Sequence, residues 1–211
     1  YRGFILGSIQ REFPAKYRNS LLGAAWTILN PLATILVYTV IFAEVMRSRL
    51  PGVENTFGYS IYLCAGVLTW GYFAEIVGRS QTVFIDSANL LKKLSFPRFC
   101  LPVIIIGGAT LNFGIIFSLF TVFLIFSGNF PGLPFLAIFP LLGLLVLFAI
   151  GLGTTLGVLN VFFRDVGQFF GIFLTFWFWL TPIVYPVGAL SESIRSLLAW
   201  NPMAGLIVAF Q

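Results

Sequence analysis

The chain contains no histidine, and only nineteen of its 211 residues are charged. Without histidine there is no imidazole to ligate a metal or to act as a general base. Cysteine is almost as scarce: Cys64 and Cys100 each stand alone in apolar surroundings, which argues against a disulfide or a thiolate metal site. The acidic residues form no catalytic pair, and no Ser-His or Cys-His set exists. A phosphate-cradling G-x-x-x-x-G-K-[ST] loop is also absent, so no nucleotide site of that type is encoded. The reading is of a non-enzyme with no cofactor of its own.

What is present is apolar. Hydrophobic residues make up 59% and charged residues 9%, against about 25% charged in soluble domains. Twenty-five phenylalanines and 21 glycines add to the bias, glycine being frequent in membrane helices. A soluble core of this length could not hide so much apolar surface, so the sequence reads as an all-α integral membrane protein forming one domain. The opening segment, YRGFILGSIQREFPAKYRNS, does not read as a signal peptide, because its short apolar stretch is broken by Arg11 and Glu12. In a soluble protein the net charge of +5 would suggest nucleic acid; here it fits basic residues gathered at a cytoplasmic face, with no nucleic-acid partner.

A membrane span needs about 20 mostly apolar residues. Five segments are predicted: Leu21 to Met46, with a kink at Pro31; Phe57 to Gly78; Phe99 to Phe126; Leu133 to Leu159; and the aromatic Gly167 to Thr181, extended to Val184. The final stretch, Asn201 to Gln211, is apolar but too short to span. Alternate loops divide the basic residues nine to three. Arg2, Arg11, Lys16, Arg18, Arg79, Lys92, Lys93, Arg98 and Arg164 fall on one side, Arg47, Arg49 and Arg195 on the other. This asymmetry predicts a cytoplasmic N-terminus in a multi-pass membrane protein. It also places Cys64 in the outer half of span two and Cys100 at the cytoplasmic end of span three, too far apart to pair.

Two segments are neither spans nor ordinary loops. Ile5, Ile9 and Phe13 recur at i, i+4 and i+8 with Leu6 beside them, which predicts a short interfacial helix stopped by Pro14. The competing reading is a frayed polar tail. After span five, PIVYPVGALSESIRSLLAWNPM is too apolar for a solvated loop and too broken by proline for a span. A re-entrant outer hairpin fits both facts, with Ser191 or Ser193 capping a helix through Trp200. An ordinary outer loop is the alternative.

The remaining signals are weaker. Glu75 and Arg79, at i and i+4 near the inner end of span two, suit a mutual ion pair near the interface, or a gate. Gly153 and Gly157 supply a small-xxx-small spacing for helix packing. The rings at 169, 170, 173 and 176–179 could face lipid, or could line a pore that stacks on sugars. Within the pore reading Tyr38, Phe173, Phe176 and Trp177 are the candidates, with Trp179 left to lipid or packing.

Four motifs in order make the chain resemble the membrane subunit of type-2 ABC exporters, in the polysaccharide-exporting branch: KYRNSLLGAAWTILNPL, SANLLKKLSFPRFCLP, LNVFFRDVGQ, and FWFWLTPIVYP followed by NPM. The resemblance covers nearly the whole chain. It implies a homodimeric channel for a lipid-linked polysaccharide of the O-antigen, capsule or teichoic-acid class, lined by spans one and five. It implies two separate ATPase subunits holding ATP and Mg. It also implies a sixth span, so residues 1–211 read as one transmembrane permease domain cut before that span. The coupling patch would be Asn89, Leu90, Leu91, Lys92, Lys93, Phe96, Pro97 and Arg98, whose cations pair with the ATPase or with anionic lipid headgroups. Lys16, Tyr17 and Arg18 would mark the approach to span one. The rival readings are export of a drug or small lipid on the same fold, and a membrane-embedded enzyme acting on polyprenyl-linked sugars.

Overall fold

The computed structural model describes residues 2–17, 25, 26, 29, 32, 33, 36, 37, 40, 58–88, 92, 97 and 99–211. All regular structure among these residues is helical. The principal helices are α1 (Arg2–Tyr17), α2 (Gly58–Asp86), α3 (Cys100–Phe126), α4 (Ile138–Phe162), α5 (Asp165–Leu180), α6 (Glu192–Leu198) and α7 (Pro202–Phe210). Short 3-10 turns at Leu133–Ala137 and Val187–Ala189 precede α4 and α6.

Long apolar runs become helices here because a backbone in lipid must satisfy its own hydrogen bonds. The few hydroxyls in these runs are spent the same way. Thr69, Ser118, Thr121, Thr154 and Thr155 each donate to the carbonyl four residues back. Among the described residues, three helical segments are long and apolar enough to cross a membrane: α2, α3, and the run Leu133–Phe162 that ends in α4; the predicted span Leu21 to Met46 lies largely outside the described residues. Helix α5 is shorter, and α6 and α7 meet at 101°.

Helix α2 is the hub. It packs along α4 for much of its length and against α3, α5 and α7. Phe73, Ile76 and Val77 of α2, Leu145 and Ala149 of α4, Ile183, and Met203 and Ile207 of α7 are fully buried there. The α2–α4 seam is close because α4 presents glycine to it. A Cβ on Gly153 would lie 2.6 Å from Ser80 Cβ, and one on Gly157 would lie 2.5 Å from the Ser80 carbonyl oxygen. The sequence spacing thus corresponds to a real backbone approach. Nearer the Gly58 end of α2, Cys64 packs against Phe120 and Leu124 of α3. Cys64 and Cys100 are both free and buried. Just past the end of α3 stands Gly128, whose φ of 70° is the left-handed conformation glycine adopts readily. The N–H groups of Gly128 and Asn129 then donate to the carbonyls of Ile125 and Leu124.

Several boundaries differ from the sequence expectations. Helix α1 does not stop at Pro14 but runs to Tyr17; proline deletes one backbone bond and leaves those on either side. Ile5 and Ile9 are half-buried, with Ile9 packed at Gly107 of α3, while Leu6 is exposed. Helix α2 continues eight residues past Gly78. Helix α5 ends at Leu180, short of Val184, because Pro182 drives Thr181 out of the helical region. Ser191 occupies the N-cap of α6 without a side-chain bond, and the helix closes at Leu198 rather than Trp200.

Candidate translocation face and its polar supports

Asp165, in the first turn of α5, is favoured by the positive end of the helix dipole. From there nearly every side chain is apolar, yet the helix has two distinct sides. Phe170, Leu174, Trp177 and Phe178 turn into the core formed with α2 and α4. Trp177 meets Trp70, Phe73 and Phe148 edge-on at 5.9, 5.5 and 6.4 Å. Its indole Nε1–H donates to Asn201 Oδ1 at 2.9 Å. Phe169, Ile172, Phe173, Phe176, Trp179 and Leu180 form the opposite stripe, with Phe176 64% and Trp179 62% exposed. At 100° per residue this stripe covers about a third of the helix circumference.

The pore candidates therefore separate. Phe173 and Phe176 stand on the uncovered stripe, although the Phe173 ring still touches Trp177 at 5.4 Å. Trp177, the third candidate, stands on the packed side, its ring held by three aromatic edges and a hydrogen bond. Trp179, set aside for lipid or packing, shares the free stripe. Phe169, named among the rings but not among the pore candidates, also lies there, as does Ile172. Tyr38 lies outside the described residues.

The segment after α5 is strapped down by polar contacts. The Tyr59 hydroxyl donates to the Val184 carbonyl, and the Tyr62 hydroxyl to that of Tyr185 at 3.2 Å. Tyr185 donates its own hydroxyl to the Trp179 carbonyl at 2.9 Å. Burial pushes the Tyr185 phenol above its ordinary pKa. Asn201 caps α7 by accepting from the Met203 N–H, and its amide donates to Thr181 Oγ1 at 3.1 Å. One side chain thereby ties the end of α5 to the start of α7. A second knot lies at the α4–α5 elbow. Buried Asn160 donates to the Gln81 carbonyl at 2.9 Å and accepts from the Gly167 N–H at 3.1 Å. A Cβ on Gly167 would crowd the Asn160 amide. Neither asparagine was singled out from sequence. The available signal was a lone amide beside an otherwise apolar helix, which in lipid needs a partner.

Arg79 Nη1 lies 3.5 Å from Glu75 Oε1, and Asn112 Nδ2 donates to Glu75 Oε2 at 2.8 Å. One turn away, the Tyr72 and Thr110 hydroxyls share a hydrogen bond of 2.6 Å. These contacts form a polar bridge between α2 and α3. Glu75 is eleven residues from the Asp86 end of α2, about 16 Å at 1.5 Å per residue. Glu75 thus sits near mid-height of the helix.

Of the basic patch, Lys92 is helical and exposed, and Pro97 is exposed without regular structure. Asn89, Leu90, Leu91, Lys93, Phe96 and Arg98 lie outside the described residues, as does Arg18. Lys16 and Tyr17 form the last turn of α1.

Helical runs long and apolar enough to cross a membrane mark a membrane-embedded helical protein. The chain belongs to the ABC-2 type transporter family, whose model matches residues 5–211. It is 36% identical over 214 residues to the O-antigen export system permease protein RfbA of Myxococcus xanthus, covering 100% of this chain and 80% of that protein. It is 30% identical over 202 residues to the protein of the same name from Klebsiella pneumoniae, covering 95% and 76%. The polysialic acid transport protein KpsM of Escherichia coli is 23% identical over 202 residues, covering 93% and 75%.

Proposed function

We propose that this chain is the membrane subunit of an ATP-driven exporter that moves a lipid-linked polysaccharide outward across the bacterial inner membrane. The similarity of nearly the whole chain to permeases named for O-antigen export carries this reading. The free face of α5 supports it. Two copies would bring two such stripes toward one channel, together with span one. Flat rings offer a polysaccharide many weak, apolar contacts with its C–H faces. Such contacts tolerate sliding, whereas fixed charge pairs would stall a moving polymer.

In this reading the N-terminus is cytoplasmic, α1 lies along the inner leaflet, and span five ends outside in a re-entrant hairpin built from α6 and α7. ATP and Mg are held by two separate ATPase subunits. Residues Asn89, Leu90, Leu91, Lys92, Lys93, Phe96, Pro97 and Arg98 dock into them, and Lys16, Tyr17 and Arg18 flank the approach to span one. The test is complementation. The permease and its ATPase are expressed in a strain that makes the polymer but lacks its exporter. Surface polymer should return with both subunits and with neither alone. Polymer retained inside despite a correctly assembled complex would overturn the assignment.

A further inference from the structure

Away from the α5 stripe, a groove of about 830 Å³ opens between the end of α2, the start of α3 and the flank of α4. It lies within the size range of pockets that hold ligands. Its walls are apolar, with Phe84, Pro102, Ile150 and Val158 among them, and Gly151 leaves it concave. The Thr154 hydroxyl at its wall is spent on the Ile150 carbonyl at 2.6 Å. Among the described residues that line it, Lys92 is the one charged group. On α4 the lining runs from Leu147 to Phe162, fifteen residues or about 22 Å. That exceeds half the ~30 Å hydrocarbon thickness of a bilayer.

We infer that this groove seats one anionic phospholipid of the inner leaflet, its acyl chains along α4 and its phosphate at Lys92. The inference rests on the cytoplasmic orientation proposed above for the Asp86 end of α2. Charge complementarity selects the occupant. A zwitterionic lipid would fill the apolar walls equally well but would gain less from the ammonium group. The groove is long enough for acyl chains of one leaflet and carries its cation at the interfacial end, as a phospholipid requires.

The test is native mass spectrometry of the purified permease with phosphatidylglycerol and phosphatidylcholine of identical chains in equal amounts. Phosphatidylglycerol adducts should exceed phosphatidylcholine adducts by about fivefold, the equivalent of the ~1 kcal/mol one basic residue gains at an anionic surface. Lys92→Gln should bring the ratio to about one, while Arg164→Gln, outside the groove, leaves it unchanged. Gly151→Leu should remove adducts of both lipids. A Cβ at Gly151 meets nothing within 4 Å, so the variant fills space without straining the fold. An unchanged ratio in Lys92→Gln, or full binding in Gly151→Leu, would overturn the inference. So would displacement of phosphatidylglycerol by an equal concentration of a polyisoprenyl phosphate, which would give the groove to a substrate carrier. The readout needs neither ATPase nor export, so its failure is distinct from a failure of the proposed function.

Discussion

Trp177 and Phe176 are neighbours in sequence with opposite surroundings, and leucine at each position should separate them. At Trp177, leucine keeps apolar volume but removes three edge-on ring contacts, each worth about 0.5–1 kcal/mol beyond area. It also removes the Nε1–H bond to Asn201, worth about 1 kcal/mol. Asn201 Oδ1 still receives the Met203 N–H, so no orphaned acceptor adds to the loss. The total is about 3 kcal/mol, close to the lower end for truncating a buried aromatic residue. Phe176→Leu, on the uncovered face, should stay within about 0.5 kcal/mol. The assay is the thermal denaturation midpoint of the purified permease, beside surface polymer in complemented cells. Trp177→Leu should lower the midpoint and reduce accumulation. Phe176→Leu should keep both while export falls. A Trp177→Leu protein that melts like wild type yet exports nothing would refute the division of α5 into a packed side and a working side.

Other outcomes follow from the same contacts. Gly157→Ala should cost about 1–3 kcal/mol, because its Cβ would meet the Ser80 carbonyl; Gly143→Ala, with open space around it, should be neutral in the same melting assay. A double-mutant cycle of Glu75→Gln and Arg79→Gln should give a coupling of about 1–2 kcal/mol, and strict additivity would count against the ion pair. Leu90→Asp should abolish co-purification of the ATPase while the permease still inserts, and normal capture would remove that residue from the coupling patch.

The apolar runs were legible because lipid demands unbroken helices. The cores of α2, α3 and α4 fall where composition placed them, and the Gly153/Gly157 spacing marked the seam they form. The sides of α5 were not legible. Periodicity identifies a helix face only when one face is polar, and on α5 both faces are aromatic. Trp177 and Trp179 are chemically alike, and only the positions of Trp70, Phe73 and Phe148 tell them apart. The full length of α2 was hidden for a related reason. Residues 79–86 are polar enough to end a hydropathy window, yet α2 continues through them to Asp86. The strap after α5 depends on contacts over more than 100 residues, from Tyr59 and Tyr62 to the carbonyls beyond Pro182. No local pattern encodes those.

The central claim is that polymer passes along the uncovered stripe of α5. A photoreactive phenylalanine analogue placed singly at 169, 173 or 176, and for comparison at 170 or 178, can be activated during export. Polymer-bearing permease should then be sought by its shift in mobility. The account predicts polymer attached from 169, 173 and 176 and none from the packed positions 170 and 178. Polymer captured from 170 or 178, with the stripe positions silent in an actively exporting strain, would contradict it.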